Sequence, residues 1–93
     1  MDYKLKLGEI VSSTAGRDAG RYFIVVDIID DKYVWIADGD LHKVEDPKKK
    51  NIKHINKTEK VVEELTIWLR KNKRVRDEDL KRAVRDYEQN KEA

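Results

Sequence analysis

Ninety-three residues make one small domain, or a smaller one with an appendage; with 39% apolar and 43% charged residues the core is modest and the surface heavily charged. A net charge of only +2 excludes a polybasic coat, so any nucleic-acid affinity has to come from local basic clusters. The lack of cysteine excludes disulfides and thiolate zinc sites, no apolar run approaches the roughly 20 residues of a membrane span, and no signal-peptide core opens the chain, so a cytoplasmic protein with no membrane partner is expected.

Residues 5–12 alternate loosely and read as a first strand, with Leu5, Leu7 and Ile10 as core contributors. Gly16 and Gly20 then bracket a polar tip, Arg17 and Asp18, as a tight inter-strand loop requires. The aromatic and β-branched run at 22–29 is the second strand. Period two puts Tyr22, Ile24, Val26 and Ile28 on one face and Phe23, Val25 and Ile29 on the other. Asp30, Asp31 and Lys32 turn into a third strand at 33–37, where Val34 and Ile36 oppose Tyr33 and Trp35. The dipeptide Asp38-Gly39 predicts a type I′ hairpin into a fourth strand at 41–44. A short fifth strand at 51–55 points Ile52 and either His54 or Ile55 inward.

Two strands apolar on both faces need cover on the side carrying Phe23, Val25, Tyr33 and Trp35. The tail supplies it. Thr58 is placed to N-cap a helix whose stripe is Val61, Val62, Leu65, Trp68 and Leu69. A second helix starts at Asp77 with a stripe of Leu80, Ala83, Val84 and Tyr87. The expected organisation is a β-barrel over residues 1–57 and a two-helix extension over 58–93 packed on it, with Trp68 or Leu65 near Trp35.

The segments Leu7-Gly8-Glu9-Ile10-Val11, Gly16-Arg17-Asp18-Ala19-Gly20-Arg21 and the run on to Asp27-Ile28-Ile29 together resemble a KOW motif. The likeness is to the KOW domains of archaeal and eukaryotic large-subunit ribosomal proteins of the L-fourteen-e and L-twenty-seven-e type and their small bacterial relatives. Gly20 falls at the glycine that defines the motif and Gly16 at the one opening its loop. The resemblance spans roughly residues 5–55 and implies an SH3-like β-barrel that binds RNA, ribosomal RNA above all.

The candidate RNA-binding residues follow from that loop and the basic stretch behind it. Gly16, Arg17, Asp18, Gly20 and Arg21 present backbone and guanidinium groups suited to a phosphate chain. Lys48, Lys49, Lys50, Lys53 and His54 would track it further as point charges. The plainer reading of both sets is a solvated surface. A second basic cluster at 70–76 is explained in part by complementing a helix C-terminus, with RNA or protein contact as the alternative reading. Tyr33 and Trp35 could stack bases, but burial under the tail accounts for them better.

His42 and His54 lack companion ligands at metal-like spacing, and no nucleophile, base and oxyanion donor assemble. No enzyme, metal or cofactor is expected. A monomer binding RNA, with further ribosomal or other proteins held through the helices, is the reading that best fits. The rival is an SH3-like protein-interaction module in a translation or transcription complex, because fold does not fix function.

Overall fold

The computed structural model describes residues 4–90; the outermost parts of the two expected domain ranges, 1–3 and 91–93, lie outside the described residues. Five strands, β1 (Glu9–Ser13), β2 (Tyr22–Ile28), β3 (Tyr33–Ala37), β4 (Lys48–Asn51) and β5 (Ile55–Val61), precede two helices, α1 (Glu63–Arg70) and α2 (Asp77–Asn90). Single 3-10 turns lie at Gly16–Asp18 and Ile52–His54. The strands form one antiparallel sheet in the order β4-β3-β2-β1-β5.

That order forces closure. In a flat sheet β4 and β5 would lie about 19 Å apart, four spacings of about 4.8 Å. Only the three residues of the second 3-10 turn separate them in sequence, four steps with a reach of about 14 Å at most. The sheet therefore rolls into a small SH3-like barrel, and the helices follow as an extension.

The strands bury side chains on both faces. Val11, Phe23, Val25, Val34 and Ile36 fill the barrel interior, with Leu5, Ile52 and Ile55 packed against them. Outside, Ile10, Ile24 and Ala37 of the sheet meet Leu65, Val75 and Leu80 of the helical segment, with Tyr22, Val26, Trp68, Leu69, Ala83, Val84 and Tyr87 around them. Both helical stripes thus point where the periodicity put them, except that Val61 is strand. The rings of Tyr22 and Tyr87 meet edge-on at 5.2 Å between centroids. Leu65 and Leu80 are fully buried, and at about 1.5–3 kcal/mol for each large side chain the two alone rival a sizeable part of a small domain's stability.

The covered face is not the one expected. Phe23 and Val25 line the barrel interior, and Tyr22, Ile24 and Val26 lie under the helices. Trp35 belongs to neither core and is only partly buried. Val25 and Phe23 face inward because β2 pairs Val25 with the interior residue Ile36 and Ile24 with the outer residue Ala37; a bulge then follows. Val25 pairs with Ile36, but the next pair is Asp27 with Trp35, so Val26 is an extra residue in β2. Trp35 thereby faces Asp27 and, on its other side, Lys49.

Other boundaries shift for local reasons. β1 starts at Glu9 because a turn precedes it, closed by the Glu9 amide donating to the Lys6 carbonyl at 3.0 Å. Residues 41–44 form no strand. Asp38 instead takes the amides of Asp40 (3.0 Å) and His42 (2.9 Å) on its own carboxylate and makes a side-chain-built turn. The fourth strand is the lysine run itself. Residues 52–54 form a 3-10 turn, capped by Asn51 accepting from the Lys53 amide at 2.9 Å. Thr58 caps no helix; its hydroxyl donates to the Ile10 carbonyl inside β5. Between the pairs Val11–Lys57 and Glu9–Val61 the fifth strand carries two extra residues, with Glu59 at φ +66°.

Two glycines seat the helices. A Cβ on Gly8 would lie 2.5 Å from Thr66 Oγ1 and 2.9 Å from the Thr66 amide, and one on Gly39 would lie 2.2 Å from the Asp77 carbonyl oxygen. Each helix therefore starts against a bare Cα. Gly39→Ala and Gly8→Ala should each lose about 2 kcal/mol or more in denaturant titrations, since steric overlap adds to the positive φ. Gly16→Ala, which meets nothing within 4 Å, should lose only the conformational part, about 1–2 kcal/mol. Equal losses at all three sites would refute the seating role.

Candidate nucleic-acid interface

The loop between β1 and β2 is closed at its base by two hydrogen bonds. The Ser13 amide donates to Arg21 (3.1 Å) and the Gly20 amide to Ser13 (2.9 Å). Within it the Ala19 amide donates to the Gly16 carbonyl and the Arg21 amide to the Asp18 carbonyl. Gly20 has φ +86°, a conformation that a side chain disfavours. Neither Gly16 nor Gly20 has an atom within 4 Å of where a Cβ would stand. Bare backbone is open to a partner at both.

Beneath the loop the lysine run acts as a clasp. Alternation along β4 sends Lys48 and Lys50 to one side and Lys49 to the other. The Lys48 ammonium donates to Asp18 Oδ2 at 3.0 Å. The Lys50 ammonium donates to the Ala15 carbonyl at 3.1 Å, and Lys50 is only 8% exposed. Lys49 lies 4.6 Å above the Tyr33 ring, a cation–π contact. The sequence places these lysines in a loop, as phosphate contacts or as solvated surface. The run is an edge strand, and two of its three ammonium groups hold the glycine loop to the barrel.

Asp18, expected at the tip, is buried. His42 Nε2 lies 3.4 Å from the same carboxylate oxygen that Lys48 contacts, and the imidazole packs on Phe23 with 5.6 Å between ring centroids. Burial pushes the Asp18 carboxyl up, but the hydrogen bonds and charges of Lys48 and His42 outweigh it and hold its pKa below the ordinary aspartate value.

The other candidates separate into engaged and free. Arg21, with a side chain 45% exposed, reaches Asp38 (3.3 Å) and Asp40 (3.4 Å), tying the start of β2 to the exit of β3. Arg17 is exposed and has no ion-pair partner among the described residues. Lys53 and His54 are exposed on the second 3-10 turn, and the His54 carbonyl accepts from the Thr14 amide at 2.9 Å. That bond sets the turn beside the glycine loop. The structure thus brings Gly16, Gly20, Arg17, Lys53 and His54 to one rim. Asp18, Lys48 and Lys50 support it from below, with Arg21 on a flank and Lys49 on another face.

His42, Asp38 and the Ala15 carbonyl were missed as organisers of the loop. The period-two alternation of Lys48 and Lys50 against Lys49 was the available signal, legible only once the run is known to be a strand.

Because the Asp18 pKa is lowered in the folded protein, its ionisation stabilises the fold fully above about pH 4, the unfolded value, and the gain is lost as pH falls through the lower folded value. Asp18→Asn should cost about 1–3 kcal/mol at neutral pH, as for a hydrogen bond to a charged group. The gap to the wild type should close as pH falls below about 4. Chemical denaturation from pH 2 to 7 tests this; a gap independent of pH would show that the carboxylate charge does not hold the loop.

No protein-family model matches the chain. It is 41% identical over 58 residues to the large ribosomal subunit protein eL14 of Desulfurococcus amylolyticus, covering 62% of this chain and 60% of that protein. Against eL14 of Sulfolobus acidocaldarius it is 32% identical over 80 residues, 86% of this chain and 76% of that protein. The eL14 of Methanococcus vannielii is 30% identical over 59 residues, 70% of its own length. The chain spans about three fifths of the length of the Desulfurococcus, Staphylothermus marinus and Pyrobaculum arsenaticum relatives. On an identity of 32% that runs through the barrel and on into the helical segment, this chain belongs to the family of the large ribosomal subunit protein eL14.

Proposed function

We propose that the chain is a non-catalytic RNA-binding protein of the large ribosomal subunit, acting in the cytoplasm with ribosomal RNA as its ligand. One observation carries the reading most. The open backbone at Gly16 and Gly20 lies beside Arg17, a cation with no partner among the described residues, next to Lys53 and His54. Glycine backbone lets a phosphate chain come close, and the arginine fork suits phosphate oxygens and the faces of unstacked bases. The names of the relatives place those proteins in the large ribosomal subunit.

In this mechanism the clasp supplies rigidity and the rim supplies charge. Lys48 and Lys50 fix the loop in advance, so that less freedom is lost on binding. Arg17 and Lys53 neutralise phosphates and release counterions. Such contacts set position and affinity, and they carry little sequence information. The helical stripes are turned onto the sheet, so a protein partner held by those same stripes would have to displace it.

The test is the salt dependence of binding to a single-stranded segment of large-subunit ribosomal RNA about 20 nucleotides long. Replacing Arg17 and Lys53 together with alanine should reduce the log–log slope by about 1.4, two contacts at roughly 0.7 each, with an unchanged melting temperature. Lys50→Ala should instead lower the melting temperature, because it removes a hydrogen bond and the packing of a buried side chain. A wild-type affinity that salt leaves untouched would overturn the reading.

A further inference from the structure

The segment joining the helices is the most basic stretch of the molecule outside the rim. Arg70, Lys71, Lys73, Arg74 and Arg76 are all exposed, and no acidic residue interrupts them. Their one ion pair among the described residues is Arg74 with Glu45 at 3.7 Å, where the side chains are 87% and 80% exposed. A pair so open to water contributes next to nothing.

The segment is nevertheless held rigidly. Val75 is buried in the outer core, the Lys73 amide donates to the Trp68 carbonyl at 2.9 Å, and the Asn72 amide donates to Leu69. Asn72 ends α1 with φ +53°, as a left-handed residue closing a helix does. The complement of a helix C-terminus accounts for Arg70 and Lys71, but not for Lys73, Arg74 and Arg76, which lie beyond the last turn. Two of the three acids that open α2 are turned to backbone, and Glu78 is exposed: Asp77 Oδ1 accepts from the Val44 amide (2.8 Å) and Asp79 Oδ2 from the Arg76 amide (3.0 Å).

This basic ridge adjoins the glycine loop through one short stretch of chain. His42 contacts Asp18 of the loop and Glu45 contacts Arg74 of the ridge. These two residues are three apart, about 10 Å of chain at most. The two basic surfaces are therefore neighbours, joined across residues 42–45.

We infer that the ordered segment between α1 and α2 is a second phosphate-binding surface, on which an RNA strand held at the glycine loop continues past His42 and Glu45 onto Lys71, Lys73, Arg74 and Arg76. The inference rests on the RNA-binding reading and extends it. Rigidity matters here, because cations already fixed in place lose little freedom when they meet phosphate. At roughly 3.4 Å of helix axis per phosphate of one strand, about 20 nucleotides exceed the 32 Å longest extent of the molecule and can reach both surfaces.

The experiment uses the full chain and the same single-stranded ribosomal RNA segment. Two variants are compared, Lys71→Ala/Lys73→Ala/Arg74→Ala in the ridge and Arg17→Ala/Lys53→Ala at the rim. The ridge variant should lower the salt slope by about 2, three contacts at roughly 0.7, so that its affinity deficit shrinks about twentyfold between about 50 and 200 mM salt. Its melting temperature should match the wild type, since the three side chains are exposed. If the rim variant flattens the slope and the ridge variant does not, the second surface is refuted and the RNA reading stands. If the ridge variant alone flattens it, the second surface stands and the loop loses its assignment. A wild type without salt-sensitive binding overturns both.

Discussion

Two ammonium groups on one strand determine how this barrel presents its loop. Lys48 and Lys50 sit two apart on β4, on the same face, and reach the Asp18 carboxylate and the Ala15 carbonyl. Each bond adds a cation to an acceptor that already has one neighbour, the Ser13 hydroxyl at the Ala15 carbonyl and the His42 ring at Asp18. The loop between β1 and β2 is thereby pinned at both ends of its 3-10 turn. What lies between the pins, Arg17 and the bare Cα of Gly16, is left to face solvent. A loop hinged only at its glycines would sample many shapes, and a phosphate chain would have to order it on contact.

The barrel depends in turn on the helices. A five-stranded sheet of this size has one interior to fill, yet β2 is apolar on both faces, and its outer residues Tyr22, Ile24 and Val26 are covered by side chains from α1 and α2. Isolated helices of 8 and 14 residues would be marginal in water. Their stability comes from the shared outer core, and the glycine seats at Gly8 and Gly39 let their first turns come close enough to form it. Helix and sheet are two halves of one packing unit.

A net charge of +2 also takes on a definite meaning. The cations divide into those paired inside the molecule and those left in solvent. Lys48, Lys50 and Arg21 hold loop, strand and turn together, while Arg17, Lys53 and the ridge at 70–76 stand outward. Near-neutrality overall is compatible with strong local fields, because screening at physiological salt confines each cluster's influence to about 8 Å.

The sequence by itself determined the strand-rich class, the two helices and the register of their stripes. These follow from periodicity and composition, which act over a few residues. Leu65, Trp68, Leu80 and Tyr87 lie where a 3.6-residue period puts them, and Gly20 takes the positive φ that its place in the motif implies. The tertiary structure alone decided the rest. No local rule predicts a strand at Lys-Lys-Lys-Asn, since it exists by pairing with β3 and by the reach of its lysines to a loop 30 or more residues earlier. The pairing of Val25 with Ile36 decided which face of β2 meets the helices, and the bulge at Val26 set Asp27 opposite Trp35, which lies outside both cores. Gly39 looked like half of a hairpin turn, and its function is set by Asp77, 38 residues downstream, whose carbonyl occupies the space a side chain would need. Contacts of that span are energetically decisive and locally silent, which is why the candidate cations could be named from the sequence but only the fold could sort them.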